Sequence, residues 1–145
     1  MLDTNCYVQA ARHPGQLTAL GQFTTWAVPH LFLSSVVAAA LRAGIRTAQE
    51  RTRLEQVVLG PFMKRGRLIT PSAAAWDALG LTLATLRSAT GLDPALAKRS
   101  FAFDVLLAYS AREVGAVVIT SNRAGMERIR TVFRFEFLPP YPDRP

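Results

Sequence analysis

One cysteine, two histidines and ten acidic residues are few for a chain of 145, and each scarcity closes off a chemistry. The lone Cys6 permits neither an internal disulfide nor a cysteine-built zinc site, which suits a reducing compartment. His13 and His30 have no partners at the spacing of a metal-ligand set or a catalytic triad, so neither is assigned a role. Cys6 itself reads as a small buried hydrophobe. No stretch approaches the roughly 18 uninterrupted apolar residues of a membrane span. The N-terminus also lacks a charged region followed by an apolar one, so a cytoplasmic protein without membrane attachment is expected. Internal repeats and low-complexity linkers are missing too.

What is abundant is arginine. Lysine and arginine together number 17 against 10 acids, for a formal charge of +7, and 15 of the 17 are arginine. Such a balance favours a polyanionic partner such as nucleic acid, because arginine–phosphate contacts release counterions. A genome biased toward arginine codons gives the same composition without any such partner. Half of the residues are hydrophobic, enough for one compact domain with a sizeable core. That domain is expected over residues 1–138, with an irregular proline-rich tail over 139–145.

Apolar runs alternate with helical patterns along the chain. A short buried strand is expected over residues 1–3, then a helix from Asn5 through Tyr7, Val8 and Ala11 that stops near Pro14-Gly15. Leu17, Leu20 and Phe23 give a second helix as far as Trp26, and Pro29-His30 breaks the pattern before a strand over residues 31–33. Ser34 or Ser35 is a natural N-cap for a helix carrying Val36, Val37, Ala40 and Leu41, with Gly44 as its terminator. Residues 47–59 form another helical pattern with Leu54, Val57 and Val58 inward, bounded by Gly60-Pro61. Thr70-Pro71 reads as an N-cap and first position of a long Ala- and Leu-rich helix ending near Gly91. Asp93-Pro94 or Ser100 opens the next, whose apolar positions are Val105, Leu106, Ala108 and Ala111. Residues 116–120 are β-branched and apolar, as in a central parallel strand. A short basic helix over residues 126–130 and a strictly alternating strand over 133–137 complete the pattern. Strands alternating with helices imply a three-layer α/β/α fold with a central, mostly parallel sheet.

In such a sheet the carboxyl ends of strands line the ligand crevice. Two apolar strands here run straight into polar residues: Leu2-Asp3-Thr4-Asn5 at one end of the chain, and Val117-Val118-Ile119-Thr120-Ser121-Asn122 near the other. With the run Leu33-Ser34-Ser35-Val36-Val37 leading to Leu41-Arg42-Ala43-Gly44, and with Asp104-Val105-Leu106-Leu107-Ala108, this order and spacing resemble a PIN domain. More narrowly the chain resembles the VapC-type toxins, the ribonuclease half of a bacterial toxin–antitoxin pair. The likeness runs from Met1 to about Phe137.

The resemblance implies an endoribonuclease whose acids hold Mg²⁺ or Mn²⁺. Asp3 matches its first acid and Asp104 its third, and both are candidate catalytic and metal-binding residues. Asn5, Thr120 and Asn122 match the polar lining of the same pocket. Acids suit this chemistry because hard divalent ions take oxygen ligands, and close carboxylates repel unless a cation neutralises them. The resemblance also implies homodimers, with the apolar helices near the N-terminus as candidate surfaces. It further implies a small antitoxin whose C-terminal segment lies in a groove and presents an arginine to the acids. The chain departs from the pattern twice: Ala40 stands where a glutamate is usual, and Gly125 where a further aspartate is expected. Phe103 also replaces a frequent asparagine.

Each of these residues has a plainer use. Asp3 suits a helix N-cap, Asp104 a first-turn acid, Asn122 a turn and Thr120 a strand-end hydroxyl. Arg42, Arg46 and Arg53 share a helical face by spacing, with Lys64, Arg65 and Arg67 in the following turn. They either track an RNA backbone, with Arg42 and Arg46 as substrate contacts, or form a solvated surface. Trp26, Trp76 and Phe103 either stack bases or fill the core. Two functions therefore stand side by side: a Mg²⁺-dependent ribonuclease with a reduced acidic site, and a non-catalytic PIN-fold module that binds RNA or an antitoxin.

Overall fold

The computed structural model describes residues 1–91 and 99–143. Its strands form two short parallel pairs. Strand β1 (Leu33–Ser34) pairs with β2 (Leu68–Ile69), Leu33 opposite Leu68. Strand β3 (Val118–Ile119) pairs with β4 (Phe137–Leu138), Val118 opposite Phe137. The strand expected over residues 1–3 is a single parallel bridge between Leu2 and Ile119. It is fixed by the Ile119 N–H to the Met1 carbonyl at 2.8 Å and the Asp3 N–H to the Ile119 carbonyl at 2.9 Å.

Because side chains alternate across a strand, neighbouring residues serve opposite cores. Met1, Leu33 and Val118 join Val37, Val105, Ala108, Met126 and Ile129 in one buried cluster. Leu2 and Ile119, one residue further along, join Cys6, Phe23, Ala27 and Leu31 in another. The sheet is thus covered on both faces. Helices α1 (Thr4–Arg12) and α2 (Pro14–Ala27) lie on one side, and α3 (Ser35–Ala43), α7 (Arg99–Glu113) and α8 (Arg123–Arg130) on the other. This is the three-layer α/β/α arrangement with parallel strands that the alternating pattern implies.

Several boundaries differ from expectation. The strand sought over residues 31–33 begins only at Leu33, because Pro29 sits in a 3-10 turn (Val28–His30) that holds Leu31 through its N–H to the Val28 carbonyl. Ser34 then caps α3 by accepting from the Val36 N–H at 3.2 Å. The long helix α6 (Ala73–Thr90) starts after Ser72, which accepts from the Ala75 N–H, rather than at Thr70-Pro71. It ends at Gly91 in the left-handed conformation, φ +66°. In the segment 133–137 only Phe137 is in a strand. Phe133 instead stacks on Tyr109 at 4.1 Å, and Phe135 is buried against α7's side of the sheet. Helix α8 begins at Arg123, earlier than expected, because Asn122 caps it. Asp93-Pro94 lies outside the described residues, and Ser100 falls inside α7 rather than opening it.

The largest difference lies after α3. Helix α4 (Ala48–Arg53), capped by Thr47 and Glu50 reciprocally, widens into a π-helical turn (Leu54–Leu59) and continues as α5 (Gly60–Lys64), so Gly60-Pro61 does not end it. A π turn absorbs an extra residue and shifts every following side chain around the axis. Val57, expected inward, is therefore 65% exposed, and Leu59 is buried in its place. Gly60 donates its N–H to the Glu55 carbonyl, whose oxygen would lie 2.7 Å from a Cβ at this position. Gly60→Ala should consequently lower the unfolding free energy by about 1–3 kcal/mol, the usual cost of forced overpacking against backbone. Chemical denaturation with an unchanged m-value checks this.

After β4 the chain is irregular as far as residue 143, yet it is anchored: the Tyr141 hydroxyl donates to the Cys6 carbonyl at 2.8 Å. None of the described helices is long and apolar enough to cross a membrane.

Candidate active site

Asp3 directly follows the bridge at Leu2, and its backbone is still extended (φ −76°, ψ 159°) when α1 begins. The residue is 5% exposed. One oxygen, Oδ1, caps α1 by accepting from the Thr4 N–H at 2.6 Å. The other, Oδ2, accepts from Asn5 Nδ2 at 2.6 Å and from Thr120 Oγ1 at 2.7 Å. Capping and site-building are therefore two duties of one side chain.

Thr120, just past β3, is the hub. Its buried hydroxyl donates to Asp3 and accepts from Asn5 Nδ2 at 2.8 Å and from the Asn122 N–H at 2.9 Å. Asn5 Oδ1 in turn accepts from the Ser121 N–H at 3.2 Å. Asn122 extends the chain of bonds across the cleft: Nδ2 donates to Asp104 Oδ2 at 2.9 Å, while Oδ1 accepts from the Gly125 N–H at 3.2 Å. Those two partners fix which end of the carboxamide faces the acid. Asp104 projects from the second turn of α7, counted from Arg99. It is not a first-turn acid.

Asp3, Thr4, Asn5, Asp104 and Asn122 line one cleft of about 310 Å³ with Val8, Val36, Val37, Ala40, Ser100, Phe103 and Leu107. Residues 101 positions apart are thus brought to one cavity. Its electrostatics follow from burial. Desolvation raises the Asp3 carboxyl above its ordinary value, against the hydrogen bonds from Thr120, Thr4 and Asn5. Asp104 is pushed up to about 7, first by burial and then by the negative charge of Asp3, with the Asn122 hydrogen bond opposing. No ion pair to Lys or Arg relieves either carboxylate among the described residues.

Of the polar and acidic residues expected at the site, Asp3, Asn5, Asp104 and Asn122 stand in the cleft wall, and Thr120 contributes from behind it. Val8, Val36, Val37 and Leu107 went unrecognised because apolar residues in helical spacing look the same whether they face a core or a cleft, and Ser100 because it read as a helix start. Ala40 does stand in the cleft wall, so a glutamate there would face the two aspartates. The expectation for position 125 needs correction. Gly125 does not line the cleft, and a Cβ on it would lie 2.4 Å from Asn122 Nδ2 and 2.9 Å from Cγ. The side chain that closes this side of the cleft belongs to Asn122.

The arginines are distributed differently from the single helical face that spacing suggested. Arg42 lies on α3 in a two-pronged contact with Glu55, 2.7 and 3.0 Å. Arg46 sits in the link after α3, and Arg53 ends α4. Neither Arg42 nor Arg46 lines the acidic cleft. Arg46 and Arg53 instead rim a larger groove of about 1110 Å³ between α1–α2 and α3–α5, together with Arg12, Arg65, Arg67 and the single acid Glu50. Val8 and Ala40 line both, so the groove lies next to the acidic cleft. In the floor of the groove the Tyr7 hydroxyl is buried without a hydrogen-bond partner. Of the three aromatics considered for stacking, Trp26 packs edge-on against Phe23, Trp76 is exposed on α6, and Phe103 stands 40% exposed at the cleft.

Among the described residues no three His, Cys, Asp or Glu side chains gather as a preformed metal cage. Two facing carboxylates without a cationic neighbour do match the donors of one hydrated hard ion. Mg²⁺ typically takes only one or two protein carboxylates and completes its shell with water and phosphate. Asp3 and Asp104 are the residues that would hold it.

No family model and no curated protein matches the chain. Solved structures do. A chain of FitAB bound to an IR36 DNA fragment superposes with a TM-score of 0.70 at 16% identity, covering 99% of this chain and 96% of that one. A chain of FitAcB from Neisseria gonorrhoeae gives 0.66 at 19%, covering 94% of each. One of VapBC2 from Rickettsia felis, bound to a DNA fragment from their promoter, gives 0.63 at 21%, covering 96% of each. Over nearly its whole length, therefore, the chain has the PIN-like α/β/α fold of these proteins.

Proposed function

We propose that the chain is a PIN-type ribonuclease with a reduced acidic site, acting as the toxin of a toxin–antitoxin pair. The observation that carries this reading is the bonded path Asp3–Thr120–Asn122–Asp104, which ties two strand ends and a helix into one cleft. A bound Mg²⁺ or Mn²⁺ would supply hydroxide from water and offset charge developing on a phosphodiester. The chain's own residues bind and orient. Thr120 and Asn5 hold the Asp3 carboxylate on one face, Asn122 holds Asp104, and Phe103 offers an exposed ring at the mouth on which a base can stack. With Ala40 in the wall, one acid is missing where it would face the other two, so turnover is slow.

The groove supports the partner half of the proposal. Its apolar floor, a rim with five arginines and a single glutamate, and the orphaned Tyr7 hydroxyl suit an acidic amphipathic segment of a small antitoxin. Such a segment would reach the aspartates past Val8 and Ala40. A structured RNA such as tRNA, incubated with the protein and Mg²⁺ or with chelator, tests the enzymatic reading. Cleavage should be slow, metal-dependent and lost in Asp3→Asn and Asp104→Asn. Cleavage that survives chelation or both substitutions would refute it. No cleavage, together with RNA or antitoxin binding indifferent to Asp3→Asn, would favour the non-catalytic module.

A further inference from the structure

The core leaves out one aromatic ring of α7, and that ring stands in the acidic cleft. Ser100, Phe103, Asp104 and Leu107 line the cleft at steps of three and four, so one face of the helix is turned to it. Elsewhere on α7, Val105, Ala108 and Ala111 are buried in the core, and Phe101 packs against it. Phe103 joins neither buried cluster, stacks on no other ring among the described residues and is 40% exposed. The cleft around it is apolar on two further helices, through Val8 of α1 and Val36, Val37 and Ala40 of α3.

We infer that Phe103 is the specificity-determining residue of this cleft: its ring stacks one unpaired nucleobase and so selects the nucleotide by its base. The inference rests on the reading of RNA as the ligand and names the part of the RNA that is gripped. Every base has a π-face, so the grip tolerates any sequence. It does not tolerate pairing. In a duplex both faces of a base are covered by its neighbours, and offering one to the ring means extruding the nucleotide against its own stacking. Asp104 directly follows Phe103 on the same face of α7, so a base on the ring brings its backbone to the aspartates. Among the described residues no lysine or arginine lines the cleft. The ring's contribution is therefore one that salt screens little and that needs no divalent ion. The asparagine that the resemblance expects at this position offers hydrogen bonds but no such stacking surface.

An oligoribonucleotide carrying one fluorescent purine analogue, single-stranded or annealed into a duplex, tests this in buffer with chelator, where affinity is read without cleavage. The single strand should bind more tightly than the duplex, and its analogue should be quenched, the mark of a stacked base. Phe103→Leu keeps the apolar bulk and removes the π-face. It should weaken single-strand binding by about 5- to 150-fold, the usual worth of one base–aromatic stack, and abolish the quenching. Duplex binding and the far-ultraviolet circular dichroism spectrum should not change. Phe103→Trp should keep both affinity and quenching, and the ratio between the unaltered protein and Phe103→Leu should hold from low to physiological salt. A Phe103→Leu chain that binds and quenches as before would overturn the inference. So would an equal loss for the duplex, quenching that requires Mg²⁺, or no binding of the single strand. Cleavage with Mg²⁺ is scored separately. Stacking without cleavage sinks the ribonuclease reading and leaves the role of Phe103 standing, whereas cleavage whose KM is unmoved by Phe103→Leu does the reverse.

Discussion

Replacing Ala40 with Glu and Asn122 with Asp together should raise Mg²⁺-dependent RNA cleavage by a factor on the order of 100–1,000, the usual worth of one preorganised electrostatic group at a reacting centre. The geometry names these two positions. Ala40 lines the same cleft as the two aspartates, so a glutamate there adds oxygen ligands where only a methyl group stands. Asn122 is isosteric with Asp, keeps an oxygen for the Gly125 N–H and exchanges its donor to Asp104 for a third carboxylate. Four acids in one cleft, Asp3 and Asp104 with the two introduced, demand a cation. The same variant should accordingly bind Mn²⁺ in a calorimetric titration far more tightly than the unaltered chain. Gly125→Asp is the contrasting variant. Its Cβ would displace the Asn122 carboxamide, so stability should fall with no gain in cleavage. Unaltered protein that already cleaves at the repaired rate would defeat the reduced-site reading. A repaired protein that binds the ion yet cleaves no faster would defeat it equally.

Asp104 sets the second large effect, a stability that declines as pH rises. Its carboxyl is pushed up to about 7 in the folded chain, by burial and then by Asp3, against about 4 for an unfolded aspartate. Between these values the folded state binds more protons than the unfolded state. Unfolding free energy must then fall with rising pH across that window and level off above it. Asp3, also raised by burial, acts in the same direction. Asp104→Asn removes the titration while keeping an oxygen for Asn122 Nδ2. Above pH 7.5 this variant should be the more stable by on the order of 1–3 kcal/mol, allowing for solvent in the cleft. Near pH 4 the two proteins should be equal. Urea melts at both pH values measure the difference, and a gap that does not change with pH would show that Asp104 titrates normally. Mg²⁺ should narrow the gap at high pH by stabilising only the protein that retains both carboxylates.

The sequence carried the fold at the level of its periods. Short apolar runs, β-branched over 116–120, marked the segments near Leu2, Leu33 and Val118, and helical spacing marked what lies between, whereas of the strictly alternating segment 133–137 only Phe137 is in a strand. The burial of Val105, Leu106, Ala108 and Ala111 follows from the same rule. Strand lengths were not legible. Whether Phe133 pairs with a neighbouring strand or stacks on Tyr109 depends on a ring that arrives from α7. The π turn was equally hidden: it is a backbone register change, and Gly60-Pro61 reads as a helix end unless the Glu55 carbonyl is known to bond past it.

At the site, residue types were readable and roles were not. Polar residues directly after apolar strands already marked Asp3, Asn5, Thr120 and Asn122, because parallel strand ends open onto a crevice wherever they occur. Asp104 needed the resemblance, since an acid on a helix has many commoner uses. Only the tertiary structure could decide that Asn122 rather than position 125 closes the cleft, that Ala40 lines both the cleft and the groove, and that Arg42 belongs to Glu55. The physical reason is range. Local propensity and periodicity act over a few residues and are written into the chain. A carboxylate's titration and the space beside a glycine depend on side chains that only the folded packing brings within a few ångströms.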